Sequence, residues 1–398
     1  MKQAVILAAG EGRRLRPFTA SMPKAMLSIA GKPILQYIIE ALAENGIRNI
    51  VLVVGYRKEQ IFDYIGAGER FNVEINYIEQ EKQLGTASAL MKARSAVDDE
   101  FMLLPGDKLI DAETISQLIS VKPPVMLVKK VENPLRSSVV MVDNESVKKA
   151  MLRERRAIGY NREPGIFMVN TGIYAFNKEI FDFIEGEPIL PAVLSNMINM
   201  GKEINALETK GAWLDVTYPW DIISLNASVL RDIKESVYCT IETNVTIRGN
   251  VSLGENTVIR ANSCLVGPVV IGRGCEIGPN VCILPSTSIG DNVCVLPFTE
   301  IRNSVIGDDV SIGSGSIIQD SVIDRGCIIK GHFAAISDES EIKIGNEYHK
   351  VNTGAMLGEG CKLGSHVVAL PGVIVGKNTQ IQSMNTISGQ LPDKSLVV

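Results

Sequence analysis

Hydrophobic positions follow two different rules along this chain, and the change falls near residue 238. Before it, short apolar runs alternate with longer amphipathic ones. The runs "AVILAAG" (4–10), "NIVLVVG" (49–55), "VEINYI" (73–78) and "FMLLPGD" (101–107) predict strands, because a short apolar run bounded by turn formers suits a buried extended segment. Segments 33–45, 57–65 and 86–96 carry apolar residues at helical spacing, with Pro33 suited to a first helical turn. Further strands are expected at 125–130, 138–142 and 168–176, and a linker helix at 219–234. The alternation implies βαβ units, hence an α/β domain over 1–235 with a mostly parallel sheet whose ligands lie beyond the carboxyl ends of its strands.

From Ile241 onward an apolar residue recurs at every sixth position: Ile241, Ile247, Leu253, Ile259, Leu265, Ile271, Ile277, Ile283, Ile289, Val295 and Ile301. The period slips by one and continues through Ile306, Ile312, Ile318, Ile323 and Ile329. After an interruption at about 331–354 it resumes at Leu357, Leu363, Ala369, Val375, Ile381 and Ile387. Chance does not hold phase over eleven hexads. The period predicts a parallel β-helix over 236–398, each short strand pointing one aliphatic side chain inward and a glycine or asparagine turning the corner. A sandwich would alternate with period two and recur every 8–12 residues.

Composition narrows the class. The 398 residues are 45 % apolar with a formal net charge of −5, which fits two or three domains with a full core. No basic segment precedes a hydrophobic run, no stretch approaches the roughly 18 apolar residues that span a bilayer, and no polybasic cluster occurs. The expectation is a cytoplasmic protein without a membrane or nucleic-acid surface. The seven cysteines (Cys239, Cys264, Cys275, Cys282, Cys294, Cys327, Cys361) lack Cys-x-x-Cys pairs and nearby histidine spacing, and read as small reduced core residues, with a metal site as the alternative.

The chemistry concentrates in "LAAGEGRRLRPFTASMPKAML" (7–27). A dinucleotide fingerprint needs a third glycine where Leu15 stands, so Gly10 and Gly12 do not complete one. What remains is a glycine loop whose amides can approach phosphate oxygens, with Arg13, Arg14, Arg16 and Lys24 supplying charge for a triphosphate. A solvated basic loop is the plainer reading of the same charges.

This spacing resembles the sugar-1-phosphate nucleotidylyltransferase family, whose signature runs close to Leu-Ala-Ala-Gly-x-Gly-[Thr/Ser]-Arg and then Pro-Lys-x-Met. Arg13 stands where a small hydroxyl residue is usual. Further matches follow in order: "QEKQLGTASAL" (80–90), "PGD" (105–107), "VNTGIYAF" (169–176) and "WLDVTYPWD" (213–221). A Rossmann-like nucleotidyltransferase domain followed by a left-handed β-helix is similar to archaeal relatives of the bifunctional enzymes that make UDP-N-acetylglucosamine. The resemblance implies transfer of UMP or dTMP from UTP or dTTP to a hexose or N-acetylhexosamine 1-phosphate, with pyrophosphate released. It implies Mg²⁺ on Asp107 and Asp215, with Arg14 and Lys24 on the leaving pyrophosphate and the α-phosphate. Leu7, Ala8, Ala9, Gly10, Gly12, Arg13, Gln80, Gln83, Gly85, Thr86 and Gly106 would bind the nucleotide. Ser138, Glu154, Arg155, Asn170 and Thr171 would bind the sugar. Without the resemblance either aspartate could be a loop cap and Gln80 a polar loop residue.

The residue types suit such chemistry. A sugar phosphate is already an anion at neutral pH, so alignment and charge neutralisation matter more than a general base, and residues 1–331 contain no histidine. Departures fall on the sugar side: Ser137 and Ser138 replace a usual Tyr-Gly, Arg155 a lysine, and Lys108 an asparagine. The resemblance also implies a homotrimer through the β-helix. In the bifunctional relatives a Pro-His pair and a later asparagine serve acetyl transfer; Gly313, Ser314 and Ile336 stand at those places, leaving His332 as a substitute base and His366 as a surface residue. Three readings therefore stand: a nucleotidylyltransferase with a noncatalytic β-helix, a bifunctional enzyme that also uses acetyl-CoA, and a weakly active regulatory or scaffolding homologue. The first is favoured because both aspartates and the Arg14 and Lys24 loop are retained.

Overall fold

A computed structural model of the chain describes residues 1–132, 138–143, 146–150, 167–211 and 213–398. Contacts divide them into two compact units. One comprises Met1–Glu11, Pro23–Met26 and Ile34–Asp215; the other comprises Gly12–Met22, Leu27–Pro33 and Val216–Val398.

The first unit is built on a nine-stranded sheet. Its strands are β1 (Gln3–Ala8), β2 (Asn49–Val54), β3 (Glu74–Glu79), β4 (Glu100–Pro105), β5 (Val125–Val131), β6 (Val140–Asp143), β7 (Ser146–Ala150), β8 (Phe167–Asn177) and β9 (Asn205–Glu208). They lie in the order β3-β2-β1-β4-β8-β5-β9-β7-β6. Helices α1 (Ile34–Glu44), α2 (Lys58–Ile65) and α3 (Thr86–Lys92) fall where the helical spacing put them. Helices α4 (Ala112–Ile119) and α5 (Leu190–Asn199) add to them. The half from β3 to β4 is parallel, as βαβ units require. Strand β8 then runs antiparallel to both β4 and β5, so the sheet is mixed. The chain steps from β1 to β2 on one side and returns to β4 on the other, which opens a crevice at the carboxyl ends of β1 and β4.

The second unit holds the left-handed β-helix. Its short strands stack into three parallel sheets of nine, nine and eight strands. One turn of the helix takes eighteen residues: Ile271 pairs over Leu253 and Ile277 over Ile259. The hexads slip at Ile306 and again at Ile323, each time at a corner shortened by one residue, since Ile306 pairs over Ile289 and Ile323 over Ile306. Buried aliphatic side chains therefore stack in columns such as Leu253, Ile271, Ile289 and Ile306, each contributing roughly 1.5–3 kcal/mol. Corners place Asn256, Asn262, Asn280 and Asn292 in the left-handed region, which asparagine tolerates. The first two hexad positions behave differently: Ile241 is 40 % and Ile247 37 % exposed. They belong to the end coil, with neighbours on one side only.

The interruption at 331–354 is a β-hairpin, Asp338–Ile344 paired antiparallel with Glu347–Thr353. Leu357 pairs over Ile323 thirty-four residues on, so the hairpin leaves the coil and returns without changing its register. Helix α6 (Asp221–Leu230) packs on the β-helix through Asn226, which is fully buried. Its amide donates to Ser286 O at 3.0 Å and accepts from the Ser288 hydroxyl at 2.8 Å and from Ala30 N at 3.0 Å. All seven cysteines are free. Cys275, Cys327 and Cys361 are buried, and the other four are partly exposed. Among the described residues no helix is long and apolar enough to cross a membrane.

Candidate active site

In the first unit, the chain beyond β1 and the chain beyond β4 run side by side. Gly106 N donates to Leu7 O at 2.8 Å, and a Cβ on Gly106 would stand 2.9 Å from that of Ala8, so only glycine allows this approach. Tyr56 N donates to Ala9 O, and Gly10 is exposed with nothing within 4 Å of the place a Cβ would take. Open space thus faces the backbone at the end of the strand.

Asp107 follows directly. The short strand Lys108–Ile110 pairs antiparallel with Trp213–Asp215, setting Asp215 across from Lys108. The two carboxylates thereby share one ammonium: Lys24 Nζ donates to Asp107 Oδ2 and lies 3.8 Å from Asp215 Oδ1. Burial raises the Asp107 pKa, but the Lys24 and Lys108 charges outweigh it and hold the carboxyl below its ordinary value. Two hard-oxygen donors converging on one cation position fit a Mg²⁺-type ion, which binds one or two carboxylates together with phosphates. The donor set is thus sound for a divalent metal, with the lysine ammonium standing close to that position.

Lys108 has its own seat. Its ammonium donates to Thr171 O at 2.8 Å and lies 5.0 Å from the Trp213 ring centre, and Trp213 Nε1 donates to the same carbonyl at 3.0 Å. Asn170 and Thr171 are buried in a bulge of β8 opened by Gly172 at φ +83°. Asn170 Nδ2 donates to the Tyr174 hydroxyl at 2.7 Å and its Oδ1 accepts from Gly172 N at 2.8 Å. Burial outweighs the opposing effect of Asn170 and pushes the Tyr174 phenol upward. Ser138 O accepts from Asn170 N, whereas Ser137, Glu154 and Arg155 lie outside the described residues.

Segment 80–90 is ordered by contacts to backbone carbonyls. Gln80 is buried and donates to Gly85 O at 3.2 Å, and Gln83 donates to Gln80 O at 3.4 Å. Gly85 adopts φ +134°, and a Cβ there would meet Pro188 O at 2.2 Å, so the turn before α3 is reserved for glycine. Thr86 Oγ1 accepts from Leu190 N.

Gly12, Arg13 and Arg14 belong to the second unit. Gly12 takes the left-handed conformation, and Arg13 and Arg14 are exposed on the short helical turn that follows. The Arg14 guanidinium lies beside Tyr218, 6.0 Å from its ring centre, and the Tyr218 hydroxyl donates to Glu347 Oε2 at 2.9 Å. Burial and the Glu347 carboxylate raise the Tyr218 pKa, while Arg14 opposes them. Trp220 stacks on Tyr218 at 5.0 Å and His349 leans on both. Sequence reading placed Tyr218 and Trp220 only inside a motif and passed over Glu347 and His349. The remaining histidines, His332 and His366, are exposed corner residues whose rings stack at 4.6 Å.

A parallel crevice with a glycine turn and paired carboxylates on one side, joined to a β-helix, defines a nucleotide-handling enzyme with a repeat appendage. Residues 3–232 match the nucleotidyl transferase family and residues 265–343 the GMPPB C-terminal domain. The chain belongs to the sugar-1-phosphate nucleotidylyltransferases, a family that works with a divalent metal on a nucleoside triphosphate and a sugar 1-phosphate. It is 34 % identical to the bifunctional protein GlmU of Methanococcus maripaludis, over 99 % of this chain and 96 % of that one. It is 30 % identical to the bifunctional sugar-1-phosphate nucleotidylyltransferase/acetyltransferase of Sulfurisphaera tokodaii, over 95 % of each. A crystal structure described as a glucose-1-phosphate thymidylyltransferase of Bacillus anthracis shares the fold at TM-score 0.50 and 22 % identity, covering 59 % of this chain and 97 % of that one.

Proposed function

We propose that this nucleotidylyltransferase uses Mg²⁺ to transfer UMP or dTMP from UTP or dTTP to a hexose or N-acetylhexosamine 1-phosphate. The observation that carries this reading is the convergence of Asp107 and Asp215 on the Lys24 ammonium beside the chain end of β1. A sugar-phosphate oxygen bonds to the α-phosphorus as the bond from that phosphorus to the bridging oxygen of pyrophosphate breaks. The nucleophile is an anion, so no residue need take a proton. Mg²⁺, held by Asp107 and Asp215, would neutralise phosphoryl charge and align the two reactants. Lys24 is the residue for the α-phosphate and Arg14 for the leaving pyrophosphate, and Gln80 with Gly85 faces the pyrimidine. Lys108, fixed on Thr171 O, is a cation for the sugar phosphate.

A homotrimer through the β-helix belongs to the same proposal. Ile317, Ala334 and Val368 form one outward column in register, and Ile317 and Val368 stay exposed on a single chain. The second reading, acetyl transfer from acetyl-CoA to an amino-sugar phosphate, is favoured by the names of the bifunctional relatives and by the His332–His366 stack on the β-helix. The test incubates the protein with Mg²⁺, UTP or dTTP and a panel of sugar 1-phosphates, measuring pyrophosphate, beside a thiol assay with acetyl-CoA and glucosamine 1-phosphate. Pyrophosphate release with at least one pair and little or no free thiol are expected. Silence with every pair overturns the first reading; thiol release abolished by His332→Ala establishes the second.

A further inference from the structure

The β-helix unit contains three separate contacts with the arginine loop Gly12–Met22, and the hexad rule explains none of them. Pro17 packs on coil residue Gly358, where a Cβ would come within 2.8 Å of the Pro17 Cβ. Ser21 stands beside Glu359, the next residue of that coil; burial raises the Glu359 pKa, but Ser21 together with Arg325 brings it below its ordinary value. The third contact sets the Arg14 guanidinium beside the Tyr218 ring, whose hydroxyl donates to Glu347.

Glu347 sits at the start of the second strand of the hairpin, opposite Ile344, and His349 pairs with Ile342. The hairpin is itself anchored to the coils. Ile342 is buried and would crowd any Cβ on Gly372, and Gln390 Nε2 donates to Lys343 O. On the other side of the phenol, Asp221 Oδ2 accepts from Thr217 N and Tyr218 N at 2.9 and 2.8 Å, fixing the backbone from which the ring projects. The phenol is thus held by its backbone, by the stacked Trp220 and His349 rings, and by Glu347, and the exposed Arg14 side chain lies against it. A free arginine surrenders side-chain entropy when it grips a phosphate; one already tethered surrenders less.

We infer that the hairpin at 338–353 is a working part of the nucleotidyl transfer reaction, with Tyr218 and Glu347 as positioning residues that hold Arg14 ready for the triphosphate. The inference rests on the reading of Arg14 as a phosphate contact. It gives the hairpin a reason to exist: the insertion costs the β-helix nothing in register, yet brings a carboxylate to the phenol beside the signature arginine. The β-helix is then a brace for the triphosphate loop, whether or not it carries a second activity.

The experiment compares the full chain with Tyr218→Phe, Glu347→Gln, Arg14→Ala, the pair Arg14→Ala/Tyr218→Phe, and a deletion of 338–353 that rejoins an eighteen-residue turn. Steady-state pyrophosphate release gives KM for each substrate, calorimetry gives UTP or dTTP affinity without turnover, and thermal melting reports folding. Tyr218→Phe and the deletion should raise KM and Kd for the triphosphate about tenfold while KM for the sugar 1-phosphate stays within twofold. Glu347→Gln, which keeps an acceptor, should fall between. Adding Tyr218→Phe to Arg14→Ala should cost nothing further, because the phenol acts only through that arginine. Unchanged triphosphate affinity in Tyr218→Phe, or additive losses in the pair, overturns the inference. Should the deleted chain not fold, the point variants decide alone. Should Arg14→Ala itself bind the triphosphate normally, the reading of Arg14 fails instead, and the two failures are told apart.

Discussion

In the β-helix a side chain meets partners seventeen or eighteen residues away at turn after turn, and losing one leaves its column otherwise intact. At the carboxylate cluster, Lys24 and Asp107 are 83 residues apart and Asp215 arrives on a different strand, so the arrangement exists once. The first region spreads stability over many equivalent contacts, whereas the second concentrates charge that is costly unless paired. Substitutions should therefore separate the two, removing activity without stability at one and stability without activity at the other.

The largest effect is expected from Lys24→Ala, which should lower kcat by 10²-fold or more, on the order of removing one charge-stabilising donor from an active site. Its melting temperature should stay close to that of the parent, because both aspartates are partly open to water and the Lys108 charge still acts on Asp107. A large drop in melting temperature would mean that the cluster is structural. Next comes Ile277→Ala, which empties a fully buried site in the column with Ile259 and Val295. About 2–5 kcal/mol of stability should be lost with pyrophosphate release at 25 °C unchanged, as read by denaturant titration and assay.

The smallest effect sharpens the comparison within the β-helix. Asp324 Oδ2 is buried without a hydrogen-bond partner, and burial pushes the carboxyl up to about 7, with Glu359 and Asp308 adding to the rise and Arg325 opposing it. Between about pH 4, where an unfolded aspartate ionises, and pH 7 the folded chain keeps a proton the unfolded chain has released. Stability should therefore fall as pH rises through that window and level off above it. Asp324→Asn should remove the slope and raise the melting temperature at pH 8 by a few degrees. A parallel pH dependence in parent and variant would contradict the burial argument.

The same contrast governs what the sequence could reveal. The hexads from Leu253 onward announce both the β-helix and its asparagine corners, because a repeated local rule needs no distant partner to be read. The ends of β1 and β4 were legible for a similar reason, as apolar runs closing on "AAG" and "PGD". The strand Trp213–Asp215 was not, since three residues carry no period and their pairing with Lys108–Ile110 is a tertiary event. Helix α5 was within reach, because Leu190, Val193, Leu194 and Met197 keep helical spacing. The hairpin offered Gly345–Asn346 between alternating residues, a turn signal hidden by the broken hexad period around it. Nothing in the chain order hinted that Glu347 would meet Tyr218, 129 residues away.

The most direct test of the central claim is pyrophosphate release by Asp107→Asn, a substitution that keeps the side chain's shape and removes its charge. With Mg²⁺, a pyrimidine nucleoside triphosphate and the best sugar 1-phosphate, the variant should lose activity on the order of 10³-fold while melting as a folded protein. Retention of full activity would contradict the assignment of Asp107 and Asp215 as the charge centre of the reaction.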